Sequence, residues 1–113
     1  MRMTSLRQNK EQIYLDWDLC LDLNQLIVLK GTSSISLTVT QFRILRMLSE
    51  HLNSPVSSED IIATVWSTMS VQNSELYKQI NRIREKIESN PSKPRHLLTV
   101  RGFGYLLHTH ERS

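Results

Sequence analysis

The spacing of apolar residues along the chain changes near position 38. Before this point, short alternating runs of apolar and polar residues, "IYLDW", "LCLDL", "LIVLKG" and "SISLT", are separated by Asp, Asn, Gly and Ser. Alternation with a period of two, bounded by turn-forming residues, is typical of β-strands. The first 37 residues therefore predict three or four short antiparallel strands.

Beyond position 38 the apolar spacing becomes helical. A first helix is predicted over 39–52, where the apolar residues are Phe42, Leu45, Leu48 and Leu52. Thr38 and Gln41 form a capping-box pattern, in which hydroxyl and amide satisfy each other's otherwise unpaired backbone donors. Ser57 marks the start of a second helix, which should end near Ser67 because the periodicity stops there.

The third predicted helix, "SELYKQINRIREKIES", follows the loop "STMSVQN", with Asn73 as its N-cap. Its core-facing stripe consists of Leu76, Ile80, Ile83 and Ile87. The polar side chains on the opposite side are Ser74, Lys78, Asn81 and Arg82, with Tyr77 and Arg84 on one flank and Lys86 on the other. Lys, Asn and Arg carry donors that match base edges and phosphates in a DNA major groove. The alternative is a surface helix with ion pairs such as Lys78 with Glu75 and Arg84 with Glu88.

The C-terminal stretch "LLTVRGFGYLL" predicts a β-hairpin. Two strand-forming runs are joined by "RGFG", in which Gly102 and Gly104 permit positive φ and leave the tip without Cβ atoms. An arginine on a thin hairpin, here Arg101, suits entry into a DNA minor groove. A structural hairpin with a surface arginine is the simpler alternative.

Composition limits the class of protein. With 113 residues, 22% charged and 39% hydrophobic, the chain suits one soluble domain. Its longest apolar run, Leu26–Leu29, is too short to cross a bilayer, and the N-terminus has no apolar signal segment. One cysteine, Cys20, cannot form an internal disulfide, so we expect a cytoplasmic location.

The basic residues are concentrated in the C-terminal third. Residues 1–70 hold six Lys or Arg and seven Asp or Glu, a net charge of −1, whereas residues 71–113 hold eight and four, a net charge of +4. Such an asymmetry is what binding to nucleic acid or an anionic surface needs, although a solvated basic face would also account for it.

These elements together resemble the OmpR/PhoB-type winged-helix DNA-binding domain, the effector half of many bacterial response regulators in two-component systems. The matching segments are "LTVTQFRIL" (37–45), "VSSEDIIATVW" (56–66), "INRIREKIE" (80–88) and "TVRGFGYLL" (99–107). The resemblance implies an α+β fold: a winged helix-turn-helix with an N-terminal four-stranded antiparallel sheet, a three-helix core and a C-terminal β-hairpin wing. We expect this domain over 13–108, with tails over 1–12 and 109–113.

The resemblance also implies sequence-specific binding of double-stranded DNA in transcription regulation. The third helix would enter the major groove, where Arg82 contacts a base and Arg84 a phosphate, while Arg101 enters the minor groove. The implied DNA-binding residues are Ser74, Tyr77, Lys78, Asn81, Arg82, Arg84, Arg101 and Gly102. The implied RNA polymerase contact is the loop Ser67, Thr68, Met69, Ser70, Val71 and Gln72. Relatives bind as pairs on repeated half-sites.

Several positions depart from the family pattern. Ser67 replaces the usual glycine after the tryptophan, and the start of the third helix differs from that of many members, so their site preference does not transfer. The run "NSEL" is similar to the ToxR-like subgroup, which lacks a receiver, and 113 residues leave no room for a receiver beside this fold. The alternatives are a ToxR-like regulator domain and a winged helix that binds a protein partner.

The remaining polar residues indicate no other chemistry. His108 and His110 share one face of a strand and His96 precedes the same hairpin, so a metal site is an alternative; because zinc usually has three or four well-spaced ligands, we expect a solvated tail and no metal. We also expect no cofactor and no enzymatic activity, because no nucleophile, carboxylate pair or nucleotide-binding loop has the required context. Cys20, Trp17 and Trp66 lie in apolar surroundings and are predicted to belong to the core.

Overall fold

A computed structural model describes residues 12–67 and 71–110. The N-terminal part forms an antiparallel sheet of four strands paired in chain order: β1 (Gln12–Asp16), β2 (Leu19–Asp22), β3 (Ile27–Lys30) and β4 (Ser33–Ser36). The four strands confirm the prediction from the alternating apolar pattern.

The expectation for Trp17 was wrong. The side chain is 74% exposed, in the turn between β1 and β2. The register of β1 against β2 shifts between Tyr14 and Asp16. Because each residue of slip moves a side chain to the other face of a sheet, simple alternation fails beyond this point. Cys20 is buried as expected, and burial raises the pKa of its thiol.

Three helices follow: α1 (Val39–Ser49), α2 (Ser58–Trp66) and α3 (Asn73–Ile87). The capping box of α1 is confirmed, because the Gln41 backbone N–H donates to Thr38 Oγ1 over 3.1 Å and the Thr38 N–H donates to Gln41 Oε1 over 3.0 Å. The predicted end at residue 52 was three residues too late. The chain turns at Asn53, whose φ of 65° is incompatible with a continuing helix.

The other two helix starts differ in how well the sequence predicted them. Ser57 is the N-cap of α2, and its hydroxyl accepts a hydrogen bond from the Asp60 N–H over 3.0 Å. For α3 the predicted cap, Asn73, is already helical; the N-cap is Gln72, whose side chain makes no capping hydrogen bond.

One core joins the sheet and the three helices. The predicted stripe of α3 is confirmed, since all four of its apolar side chains are at most 1% exposed: Leu76, Ile80, Ile83 and Ile87. They pack in one cluster with β2, β3, α1 and α2. Lys86 adds a polar link, because its ammonium donates to Ser36 O over 2.7 Å and to Gln41 Oε1 over 2.6 Å. The core therefore fixes α3 along its length.

A second sheet contains the predicted hairpin. Strands β6 (Leu97–Val100) and β7 (Gly104–Leu107) pair, and β7 also pairs with the short β5 (Val56–Ser57) that precedes α2. Gly102 has the positive φ expected of it, 74°. Gly104 is needed for a different reason, because a Cβ there would lie 2.0 Å from Val56 O.

The expectation of a solvated histidine tail was wrong. His96 is buried, and its ring lies edge to face against that of His110, with centroids 4.9 Å apart. Within the predicted C-terminal tail, the Thr109 N–H donates to Asn53 Oδ1 over 3.0 Å and the His110 N–H donates to Leu15 O over 2.9 Å. Residues 109 and 110 therefore pack on the domain.

Candidate nucleic-acid interface

The side of α3 away from the core presents polar and aromatic side chains to solvent. Ser74, Tyr77, Lys78 and Arg82 are exposed, and Asn81 is half-buried. The exposure of Ser74, Lys78 and Arg82 follows from the wheel of a straight helix, since these positions lie opposite the stripe of isoleucines and leucine, whereas Tyr77 lies on the flank. The surface thus offers hydroxyl, amide, ammonium and guanidinium donors along one side of a helix.

The wing presents a further exposed cation. Arg101 and Gly102 occupy the turn between β6 and β7, and both are exposed. The turn is closed by the Phe103 N–H, which donates to Val100 O over 2.9 Å. A positive φ at the third residue of this four-residue turn is the condition that favours glycine there.

A groove of about 650 Å³ runs between the wing, the N-terminal half of α3 and the start of α2. Its walls include Ser74 and Tyr77 from α3, Thr99 and Phe103 from the hairpin, and Ser58 and Glu59 from α2. Ser74 and Tyr77 of α3 and Gly102 and Phe103 of the wing therefore border one depression, whereas the basic side chains Lys78, Arg82 and Arg101 are not part of its lining.

Lys78 is paired within its own helix. Its ammonium lies 3.6 Å from Glu75 Oε1, as the sequence predicted, and Gln79 Nε2 donates to Glu75 Oε2 over 2.9 Å. The hydrogen bond from Gln79, with a smaller contribution from Lys78, lowers the pKa of Glu75 below its ordinary value. An acidic residue thus stands beside the basic side chains of this surface.

Arg84 does not belong to the exposed side. It is 6% exposed, and its guanidinium donates to Leu97 O over 2.9 Å and to Thr99 Oγ1 over 2.9 Å. These bonds direct the guanidinium toward the hairpin, and the residue is buried, so the structure corrects the expectation that Arg84 holds a phosphate. It also forms no ion pair with Glu88, whose carboxylate is used elsewhere.

Sequence reasoning missed three residues that shape this region. Glu88 is buried, and its carboxylate accepts hydrogen bonds from the backbone N–H groups of Arg95, His96 and Leu97 over 2.8–2.9 Å. This carboxylate ties the end of α3 to the start of the hairpin. Thr99 and Phe103 line the groove, and the "RGFG" motif gave the only signal for Phe103.

The predicted polymerase-contact loop is described only at its ends. Ser67 ends α2 with a φ of 22°, Val71 is half-buried and Gln72 is exposed. Thr68, Met69 and Ser70 lie outside the described residues.

Residues 12–67 and 71–110 were also searched for metal ligands and for membrane-spanning helices. Within these ranges, no group of three or more His, Cys, Asp or Glu side chains is arranged to hold a metal ion. The helices found there are also too short or too polar for any of them to span a bilayer.

A three-helix core with a hairpin wing beside an exposed third helix defines a winged helix-turn-helix domain. Residues 31–107 match the family described as "Transcriptional regulatory protein, C terminal". The chain belongs to this family, which consists of regulators of transcription and not of enzymes. The resemblance to OmpR/PhoB-type effector domains is thereby confirmed.

Solved structures agree with this assignment. The chain is similar to the response regulator DrrB of Thermotoga maritima, an OmpR/PhoB homologue, with 28% identity and a TM-score of 0.79 over 95% of this chain and 49% of DrrB. The chain thus spans about half the length of DrrB. It is also similar to the C-terminal effector domain of BfmR from Acinetobacter baumannii, with 27% identity and a TM-score of 0.69 over 87% of this chain and 90% of that one.

A third structure shares the fold at lower identity. The DNA-binding domain of RstA from Klebsiella pneumoniae, in complex with the RstA box, has 22% identity and a TM-score of 0.74 over 88% of this chain and 99% of that one.

Proposed function

We propose that this domain binds double-stranded DNA in a sequence-specific manner and thereby regulates transcription in the bacterial cytoplasm. The observation that carries the proposal is that Ser74 and Tyr77 of α3 and Gly102 and Phe103 of the wing line one groove. A helix fits a major groove, and a thin hairpin fits the adjoining minor groove. The RstA domain, which has the same fold, is bound to the RstA box.

We assign the direct contacts to exposed side chains. Arg82 and Lys78 supply charged donors for bases or phosphates, and Asn81 supplies an amide beside them. Ser74 and Tyr77 border the groove at the N-terminal half of α3, where we expect them to contact the sugar–phosphate backbone. Arg101 reaches into the minor groove, and Gly102 allows the backbone of the wing to approach closely.

Two further partners belong to the proposal. We expect a second copy of the domain on a repeated half-site, because one domain of this size covers only one groove segment. Contact between the segment 67–72 and RNA polymerase stays a prediction. Binding of a protein partner through α3 is the competing function, and the exposed Tyr77 is the observation in its favour.

Selection from a pool of random duplexes at near-physiological salt tests the proposal. Enrichment of a short repeated motif is expected, and a variant with both Arg82→Ala and Arg101→Ala should lose that enrichment. A folded wild-type domain that retains no duplex would refute DNA binding and favour the protein-interaction module. Retention without enrichment would refute sequence specificity for the isolated domain.

A further inference from the structure

Arg84 is a buried cation on a helix whose other described basic residues, Lys78, Arg82 and Lys86, are less deeply buried. Burial of a guanidinium is costly unless its donors find partners. Arg84 has three hydrogen-bond acceptors. In addition to its bonds to Leu97 and Thr99, it donates to Asn81 Oδ1 over 3.4 Å. Its position is therefore determined by a network of one backbone carbonyl and two side chains.

This network joins the two elements that border the groove. Leu97 and Thr99 belong to β6, the first strand of the wing, whereas Arg84 and Asn81 belong to α3. Nε and one terminal nitrogen bind two positions on the same strand, 2.9 Å away in each case. A planar guanidinium with fixed donor directions thus sets the orientation of the strand relative to the helix, which a lysine ammonium cannot do in the same way.

The third bond acts on a side chain of the exposed surface. A guanidinium has donors only, so the Asn81 atom that faces it must be the amide oxygen. This contact orients the amide so that its oxygen faces Arg84 and its NH₂ group faces away from it. The amide oxygen accepts hydrogen bonds and the NH₂ group donates them, so the orientation of the amide determines which base Asn81 can bind.

We infer that Arg84 is a positioning residue for DNA recognition: it holds the wing at a set angle to α3 and fixes the amide of Asn81, without touching DNA. The inference rests on the proposed function. It differs from a phosphate contact and from a purely stabilising role in its effect on the ratio of specific to non-specific binding. Loss of a positioning residue lowers that ratio, whereas loss of a phosphate contact weakens binding to all sequences.

The test compares Arg84→Met with Arg82→Met, which removes an exposed charge from the same helix. Affinities for the selected site and for a scrambled duplex are measured over a salt series, with the folded fraction checked by circular dichroism. For Arg84→Met we expect about a tenfold loss on the selected site, less than about a twofold loss on the scrambled duplex and an unchanged salt slope. For Arg82→Met we expect the salt slope to change by up to about one.

Thr99→Val serves as a second variant, because it removes one acceptor of the network while nearly keeping the side-chain shape, with Thr99→Ser as its control. A smaller loss of specificity, about threefold, is expected for valine and none for serine. Residual dipolar couplings of the DNA-free protein give a readout that is independent of binding. In Arg84→Met and Thr99→Val, the couplings of 97–107 should no longer fit the orientation of α3.

The outcomes separate the two proposals. A wild-type domain that does not discriminate between the duplexes refutes the proposed function. If the wild type discriminates, the ratio of specific to non-specific binding is compared between variants. A ratio in folded Arg84→Met or Thr99→Val equal to that of the wild type overturns the role of Arg84 and leaves the proposed function intact. A salt slope that falls by about one in Arg84→Met also overturns it, because Arg84 would then contact a phosphate.

Discussion

The backbone N–H of Ser58 donates to the carbonyl oxygen of Phe103 over 2.9 Å, which joins the first turn of α2 to the wing. Donors in the first turn of a helix have no partner within the helix. Here the wing supplies one, next to the antiparallel pairing of Ser57 with Gly104. The turn end of the wing is thereby attached to α2, just as Arg84 attaches its first strand to α3.

This attachment makes Gly104 sensitive to substitution. A Cβ at this position would lie 2.0 Å from Val56 O and 2.8 Å from Ser58 N, which are backbone atoms that cannot move independently. We expect Gly104→Ala to lower the free energy of unfolding by about 3 kcal/mol or more. Gly102→Ala meets no atom within 4 Å but adopts a φ of 74°, so we expect a loss of only about 1–2 kcal/mol. Urea denaturation measures both, and equal losses would contradict this account.

Removal of the Arg82 side chain should weaken specific binding. Arg82 is exposed on the outward side of α3, so Arg82→Ala removes donors without disturbing the core. We expect a loss of about 1–3 kcal/mol on the selected site and a relaxed preference at one base position. Arg43→Ala, which removes an exposed arginine from α1, is the matched control and should bind as the wild type does. An affinity for Arg82→Ala within about twofold of wild type would remove Arg82 from the base contacts.

Substitution of Arg101 should act on the flanks of the site. Narrow minor grooves in A·T-rich DNA attract guanidinium groups, so Arg101→Ala should weaken binding and reduce any preference for A·T-rich flanks. Arg101→Lys keeps the charge but not the guanidinium, and we expect it to recover part of the affinity and little of the preference. Competition between duplexes that differ only in their flanks measures both effects. An unaltered preference in Arg101→Ala would place the wing outside the minor groove.

Neutralisation of Glu88 should destabilise the domain. Its two carboxylate oxygens accept three backbone N–H groups, two from the segment before β6 and one from Leu97, the first residue of β6. Glu88→Gln replaces one acceptor oxygen with a donor, so we expect a loss of about 1–3 kcal/mol in the free energy of unfolding. The exposed Glu50, which forms a 3.8 Å ion pair with Arg46, provides the control. We expect Glu50→Gln to change stability by less than about 0.5 kcal/mol, and a similar change in both variants would refute the importance of the buried carboxylate.

Stability should fall on mild acidification because of His96. Burial lowers the pKa of His96 below its ordinary value of 6.5, although the carbonyl of His108 and the carboxylates of Glu88 and Asp16 partly oppose this effect and His110 adds to it. The unfolded chain then binds a proton more readily than the folded one. The contribution of His96 is therefore complete above the unfolded pKa and declines as the pH falls from there to the folded pKa.

Urea denaturation at a series of pH values from about 8 to about 5 tests this dependence, because histidine side chains change their charge within this range. His96→Gln should reduce the change in stability over this range, whereas His51→Gln, at an exposed histidine, should leave it unaltered. The same pH dependence in His96→Gln as in the wild type would show that other groups produce it.

The sequence predicts those parts of the fold that depend on local periodicity. The stripe of α3 was predicted in full because Leu76, Ile80, Ile83 and Ile87 repeat at helical spacing. The capping residues Thr38 and Ser57 were found for a similar reason, since a cap satisfies donors within its own first turn. Most of the exposed positions proposed to contact DNA lie opposite that stripe, and the same periodicity places them.

Features that depend on distant segments escaped prediction. Arg84 lies on the flank of the helical wheel, and only the approach of β6 determines that it is buried. After α1 ends at Ser49, the chain turns toward the hairpin, where the Asn53 N–H donates to Leu107 O over 2.9 Å. The exposure of Trp17 depends on a shift in strand register. For Arg84 and Asn53 the partner is a residue distant in the sequence, whereas for Trp17 the shift lies within one hairpin but leaves no mark on the apolar pattern.

The division of α3 into two sides has a consequence for how such a domain can change. The leucine, the isoleucines and Arg84 hold the helix in place, whereas Ser74, Tyr77 and Arg82 are exposed. Substitutions at exposed helix positions usually alter stability by less than about 0.5 kcal/mol. The outer side can therefore acquire a different operator preference by successive single substitutions, each of which leaves a folded protein. Descendants of one gene could in this way come to control different promoters while they keep the same scaffold.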